Sequence, residues 1–189
     1  MKKVTFLLAA ILIFGVATIA KAKKPEGESE KVASHGLNIT IPTHAMIALA
    51  GSSSTDVVFE AVAAEVAGDK VTFSQTSESA LWLNYSSVVS SGSSNTISAE
   101  ISNLPDGLII EVAVSAAAAQ GKNGTTGTGY TKALTTGGVQ VVSGIETCYT
   151  GSGEGSGHSL VYSISADEDN YQDLVAGDHN LTVTYTISD

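Results

Sequence analysis

The sequence predicts an all-β fold for residues 37–189 on three observations. First, apolar and polar residues alternate through several short segments, as at 96–102 and 181–187. Successive side chains of a strand point to opposite faces, so a period of two buries one face of a sheet and exposes the other. Second, the alternating residues are mostly β-branched or aromatic, which favours strands. Third, glycine, serine, asparagine and aspartate separate the segments, as in turns.

Many short strands at regular spacing, without a convincing helical period, are typical of a sandwich or barrel. We therefore predict a single immunoglobulin-like antiparallel β-sandwich of about ten strands. Pro105-Asp106-Gly107 is the clearest hairpin-like turn. Residues 113–119 are rich in alanine, which favours helix. They continue a strand-period run, however, so we expect strand there. The expected strands lie near 37–41, 45–50, 56–64, 70–74, 80–85, 96–102, 108–117, 139–143, 159–165 and 180–187.

The N-terminus predicts export. Two lysines precede an uncharged, strongly apolar run from Val4 to Ala20, and Ala20-Lys21-Ala22 supplies the small residues that a signal peptidase recognises. The alternative is a retained membrane anchor, since the run approaches the length that spans a bilayer. The cleavage triplet favours a cleaved signal peptide at 1–22. Residues 23–36 are polar and charged without an apolar period, which indicates a flexible leader before the sandwich domain at 37–189.

The charge of the mature chain disfavours polyanionic partners. The chain has 9 basic and 19 acidic residues. Removal of the three lysines in residues 1–22 leaves 6 − 19 = −13. Binding to nucleic acid or to an anionic membrane surface needs clustered Lys and Arg. We therefore expect no nucleic-acid partner, and no membrane insertion after signal cleavage. With Cys148 as the one cysteine, an internal disulfide is impossible, so the fold depends on packing.

Two candidate chemical sites have simpler structural explanations. Cys148 is the obvious nucleophile, with His158 ten residues further on, but its neighbours are acidic and no basic side chain is close in sequence. A reactive thiolate needs a positive setting, so a small buried side chain is the better interpretation. The glycine-rich segment 151–157 lacks the spacing of a phosphate-binding loop and precedes an expected strand rather than a helix. We predict a connecting loop.

An acidic cluster is the one candidate metal site. Carboxylates at Asp167, Glu168, Asp169 and Asp173 could supply some of the six to eight oxygen ligands that Ca²⁺ takes. The spacing is not that of an EF-hand, and a solvated turn is the alternative. We expect no other cofactor. The four histidines have no zinc-ligand spacing.

Two aromatic residues raise the question of glycan binding. Trp82 and Tyr85 could stack on a sugar ring if they were exposed. Their segment is apolar on both faces, however, as a central strand would be, so we expect both in the core.

The C-terminal segment resembles a known group of exported proteins. Residues 176–187, AGDHNLTVTYTI, are similar to the last strand of fimbrial subunits and of spore coat protein U-like domains assembled by chaperone–usher systems. The blocks LWLNYSS at 81–87 and TCYTG at 147–151 look like those of small exported bacterial β-sandwich proteins. The chain departs from the group in having one cysteine where such subunits commonly have a pair. The resemblance implies a surface subunit that assembles with others.

No catalytic constellation is present in the sequence, so we predict a non-enzymatic, exported structural or adhesive protein. Its location would be the periplasm, the cell surface or the medium. Expected partners are copies of itself or other surface subunits, bound by strand addition. The segment Leu37–Ile41 is the better donor, because a flexible leader lets it reach a neighbour, whereas the terminal strand should complete its own core. The alternative function is a glycan- or calcium-binding module.

Overall fold

The computed structural model describes residues 32–52, 54–76, 80–118 and 123–188. Regular structure in these ranges is β-strand, apart from one 3-10 turn at Tyr171–Asp173. The predicted all-β fold is therefore confirmed, with eleven strands. They are β1 His44–Gly51, β2 Phe59–Val62, β3 Thr72–Gln75, β4 Leu81–Val88, β5 Asn95–Ser102, β6 Leu108–Val114, β7 Asn123–Gly129, β8 Thr131–Ala133, β9 Val139–Tyr149, β10 His158–Ala166 and β11 Thr182–Ile187.

The chain divides into two units by its contacts, Met1–Ile39 and Thr40–Asp189, and the second contains all eleven strands. In the first, residues 32–39 have no regular structure. The predicted signal peptide and most of the predicted leader lie outside the described residues. No helix in the described ranges is long and apolar enough to cross a membrane.

Nine strands form one antiparallel sheet, in the order β11-β5-β9-β4-β10-β6-β8, with β1 paired to β4 and β7 paired to β9. Strands β2 and β3 form a separate two-stranded sheet. The sheet folds back on itself to give a sandwich. Tyr162 on β10 and Tyr185 on β11 show this folding. Three strands separate β10 from β11 in the strand order, yet the hydroxyl oxygens of the two tyrosines lie 2.7 Å apart.

The core lies between the folded halves of this sheet. Its fully buried members are aliphatic side chains on β4, β5, β6 and β9. Those on β5 alternate as the sequence pattern predicts, whereas Val141 and Val142 on β9 are adjacent and both buried, where the register between β5 and β9 shifts. Each such side chain stabilises the fold by about 1.5–3 kcal/mol relative to full exposure. The side chain of Tyr185, on β11, packs half-buried against this core. The largest fully buried aliphatic residues are Leu83, Ile97, Ile101, Val112, Val141, Val142 and Ile145.

Several expectations about strands are wrong. Residues 37–41 have no strand in the structure, although their alternation predicted one. Conversely, β7 lies in a Gly/Thr segment between two of the expected strands, where no strand was predicted, because its glycines let it lie close against β9. A Cβ on Gly124 would stand 2.2 Å from the carbonyl oxygen of Thr147. The strand expected at 108–117 ends at Val114, and residues 115–118 have no regular structure.

Candidate functional site

A cluster of buried polar groups joins β4 to β10, and we call Tyr85, Thr126, Thr150 and His158 the polar seam. Nε2 of His158 lies 2.7 Å from the Tyr85 hydroxyl oxygen, and the two rings stack with centroids 5.6 Å apart. Nδ1 of His158 donates to the carbonyl oxygen of Ser115 at 2.6 Å. The Tyr85 hydroxyl also donates to the carbonyl oxygen of Thr126. Since all four side chains are buried, these bonds satisfy groups that water cannot reach.

Backbone geometry positions the seam. Thr150 Oγ1 accepts from the Tyr85 amide at 2.9 Å, and the Thr150 amide donates to the Tyr85 carbonyl oxygen at 3.0 Å. Gly157, immediately before His158, has a φ of +72°, and a Cβ there would lie 2.1 Å from the carbonyl oxygen of Leu83. Only glycine lets the chain approach β4 this closely with that φ. The glycine-rich segment therefore acts as the predicted connecting loop, which brings β10 onto β4.

Cys148 lies next to the seam and is also buried. Burial raises the pKa of its thiol, and burial raises the pKa of Tyr85 as well, with a smaller contribution from the Cys148 charge. A raised thiol pKa reduces the thiolate fraction at neutral pH, and the thiolate is the nucleophile. This setting supports the structural interpretation of Cys148. The sequence could not show that Cys148 and His158 both lie beside Tyr85.

The predicted calcium ligands lie on a loop and its short 3-10 turn. Asp167 accepts from the Asp169 amide at 3.0 Å and from the Asn170 side-chain amide at 2.8 Å, and these bonds lower its pKa. Glu168 pairs with Lys70, which lowers the pKa of Glu168. Among the described residues, no three acidic, histidine or cysteine side chains are arranged to hold a metal ion. Asp173 ends the 3-10 turn. Calcium binding by this loop stays a prediction.

The aromatic residues divide between core and surface. Tyr85 lies in the core, as expected, while Trp82 is half-buried on the other face of β4. The exposed aromatic side chain on this part of the sheet is Tyr149, at 51% exposure. It stands opposite Ser86 on β4 and Asn123 on β7. Sequence reasoning missed Tyr149, because the strand expected there ended at residue 143.

Two further exposed features are candidates for binding: the segment Leu37–Ile41, and the outward backbone edge of strand β1, which we call the open edge. Leu37, Ile39 and Ile41 are 77%, 74% and 75% exposed. They repeat at a period of two in a stretch that has no regular structure. Three aliphatic side chains so spaced form one apolar face when the backbone is extended. In this structure that face is left in solvent.

Strand β1 presents a backbone edge. It pairs with β4 along its length, and the register continues to Ser52, whose amide donates to the carbonyl oxygen of Ala80. In an antiparallel pair, every second residue directs its N–H and C=O toward the partner. The groups of Ala45, Ile47 and Leu49 therefore point away from β4. In the described part of the chain no ladder forms on that side of β1, although β11 lies close by.

Comparisons with protein-family models, with curated proteins and with solved structures found no match. The interpretation of both sites therefore depends on their geometry.

Proposed function

We propose that this protein is an exported, non-enzymatic structural subunit that associates with further copies by strand addition. The observation that carries the proposal is the exposed, period-two segment Leu37–Ile41. Exposed apolar surface that has the pattern of a strand marks a site of protein association. The donor is this segment, and the acceptor is the outward edge of β1 in another copy.

The donor segment of one copy and the open edge of another are chemically complementary. The acceptor offers the outward N–H and C=O groups of Ala45, Ile47 and Leu49, which can form a ladder with an incoming strand. Ile47 packs against the core yet is only partly buried, so an added strand would cover it further. The donor offers three aliphatic side chains, and burial of each would contribute about 1.5–3 kcal/mol before the costs of association.

Export places the subunit where such assembly would serve a structural or adhesive role. The predicted signal peptide and the leader ahead of the donor segment support this location. The leader gives the donor reach, since a flexible tether lets the segment meet another copy. The resemblance of the terminal strand to fimbrial subunits agrees with the same role. Adhesion to another surface is an extension of this proposal.

The proposal is tested by a matched pair of variants on opposite faces of the donor segment. Ile39→Asp puts a charge on the apolar face, and Thr40→Asp puts the same charge on the polar face. In chains that begin at residue 23, we expect sedimentation velocity to show assemblies for the parent and for Thr40→Asp, and monomers for Ile39→Asp. A charge that becomes buried without a partner costs several kcal/mol. A parent that is monomeric at high concentration and on cells would contradict the proposal.

A further inference from the structure

Four positions in the chain match the acceptor pattern Asn-x-Ser/Thr, with asparagines at 38, 84, 123 and 180. This pattern marks asparagines that receive oligosaccharide in exported proteins, provided they lie on the surface. We infer that Asn38, Asn123 and Asn180 are N-glycosylation sites and that Asn84 is not. The inference rests on the export that the proposed function includes.

The three inferred sites are open at both residues that the transfer reaction uses. Asn38 and Asn180 are exposed and lie in stretches without regular structure, and Asn123 is exposed at the start of β7. The threonine two residues after each asparagine is exposed as well. Both residues that the transfer reaction uses are therefore accessible from solvent at each of the three sites.

Asn84 is closed for a structural reason. It is 5% exposed on β4, and its side-chain amide nitrogen donates to the carbonyl oxygen of Gly153 at 3.0 Å. The glycine-rich loop covers it, since a Cβ on Gly157 would stand 2.8 Å from Asn84 Oδ1. An enzyme would have to open this loop to reach the amide. The chain thus contains three open sites and one closed site of the same sequence pattern.

Transfer of the oligosaccharide to asparagine needs no oxidant or reductant. The side-chain amide nitrogen bonds to the anomeric carbon of a lipid pyrophosphate-linked oligosaccharide. The bond from that carbon to the pyrophosphate oxygen breaks, the amide loses one proton, and the lipid pyrophosphate leaves. The product needs room for a bulky, hydrated group. Only the exposed asparagines provide it.

The surroundings of Asn123 and Asn38 would accommodate the inferred sugars. Asn123 is directly opposite Tyr149, whose ring is half-exposed, so the first sugar at Asn123 would lie beside an aromatic face. Asn38 alternates with Leu37 and Ile39, so in an extended strand a sugar at Asn38 would lie on the face away from the aliphatic side chains. Glycosylation of the donor segment is therefore compatible with strand addition.

The test is peptide mass spectrometry of the full chain recovered from outside the cytoplasm of its own cells. We expect a sugar mass on the peptides of Asn38, Asn123 and Asn180, and the free amide at Asn84. Substitution of each of the three by Gln should remove one sugar mass from the intact protein. The control is Ser86→Ala, which destroys the closed pattern without touching Asn84 and should leave the sugar content unchanged.

Each outcome decides a part of the inference. Free amides at all three open sites, in a chain that has lost residues 1–22, would overturn the inference and leave strand addition standing. An unmodified asparagine at one site overturns the assignment of that residue. Sugar on Asn84 would overturn the argument from burial. A chain that is unmodified and still carries residues 1–22 would overturn export, on which this inference and the proposed function both depend.

Discussion

The polar seam and the open edge both lie along β4 or its partner β1, but they differ in what covers them. In the seam, β10 of the same chain places His158 against Tyr85, and the carbonyl oxygen of Thr126 on β7 contacts the Tyr85 hydroxyl. At the open edge, the outward side of β1 carries no ladder within the described residues, and the separate segment Leu37–Ile41 also leaves its aliphatic side chains exposed. Alternation in a sequence thus predicts that a segment can form a strand, and does not specify which strand will cover it.

The largest expected effect tests the role of the glycine-rich loop at the polar seam. Gly155→Ala and Gly157→Ala both place a Cβ at nearly the same positive φ, +73° and +72°. At Gly155 no atom lies within 4 Å of the new Cβ, whereas at Gly157 the carbonyl oxygen of Leu83 is 2.1 Å away. We expect Gly155→Ala to lower the free energy of unfolding by about 1 kcal/mol and Gly157→Ala by about 4 kcal/mol.

Urea unfolding of residues 23–189 measures both values. Similar losses for the two variants would mean that the loop does not need its close approach to β4. The glycine-rich loop would then not be what holds the polar seam closed.

The next effect tests whether β11 belongs to its own domain. Val183 faces the core from β11, and Thr186 on the same strand is exposed. Val183→Asp should lower the free energy of unfolding of the monomer by about 3 kcal/mol, because it puts a charge into a largely apolar setting. Thr186→Asp, opposite Ser98, should change it by less than about 0.5 kcal/mol.

Thermal or urea unfolding at dilutions where the chain is monomeric makes the measurement. A Val183→Asp monomer as stable as the parent would mean that β11, rather than Leu37–Ile41, serves a neighbouring subunit.

The sequence predicted the strands whose partners follow the alternating pattern, such as β5, β6 and β11. It failed where non-local contacts decide the structure. Gly124 and Gly127 looked like turn residues, yet their missing side chains let β7 approach β9. The seam depends on Tyr85 meeting His158, 73 residues later, which no local pattern shows. The alternation at 37–41 predicted a strand that the structure does not have, and the described chain supplies no partner strand for it.

The smallest of these effects concerns the seam's hydrogen bonds. Tyr85→Phe removes the hydroxyl that contacts His158 and Thr126, and so leaves buried polar groups without partners. We expect a loss of about 1–3 kcal/mol in the free energy of unfolding. Tyr130→Phe is the control, since its hydroxyl bonds Ser143 at an exposed position and its removal should cost less than about 0.5 kcal/mol. Equal losses would show that the seam's bonds add no more than surface bonds do.

Amide hydrogen exchange along β1 tests the central claim, strand addition at the open edge, most directly. The amides of Met46 and Ala48 face β4 and should be protected in monomer and assembly alike, whereas those of Ala45, Ile47 and Leu49 face outward. We predict that the outward amides exchange quickly in a chain lacking residues 23–42 and become strongly protected in the assembled parent. Outward amides that exchange equally fast in both states, while assemblies are present, would contradict the account.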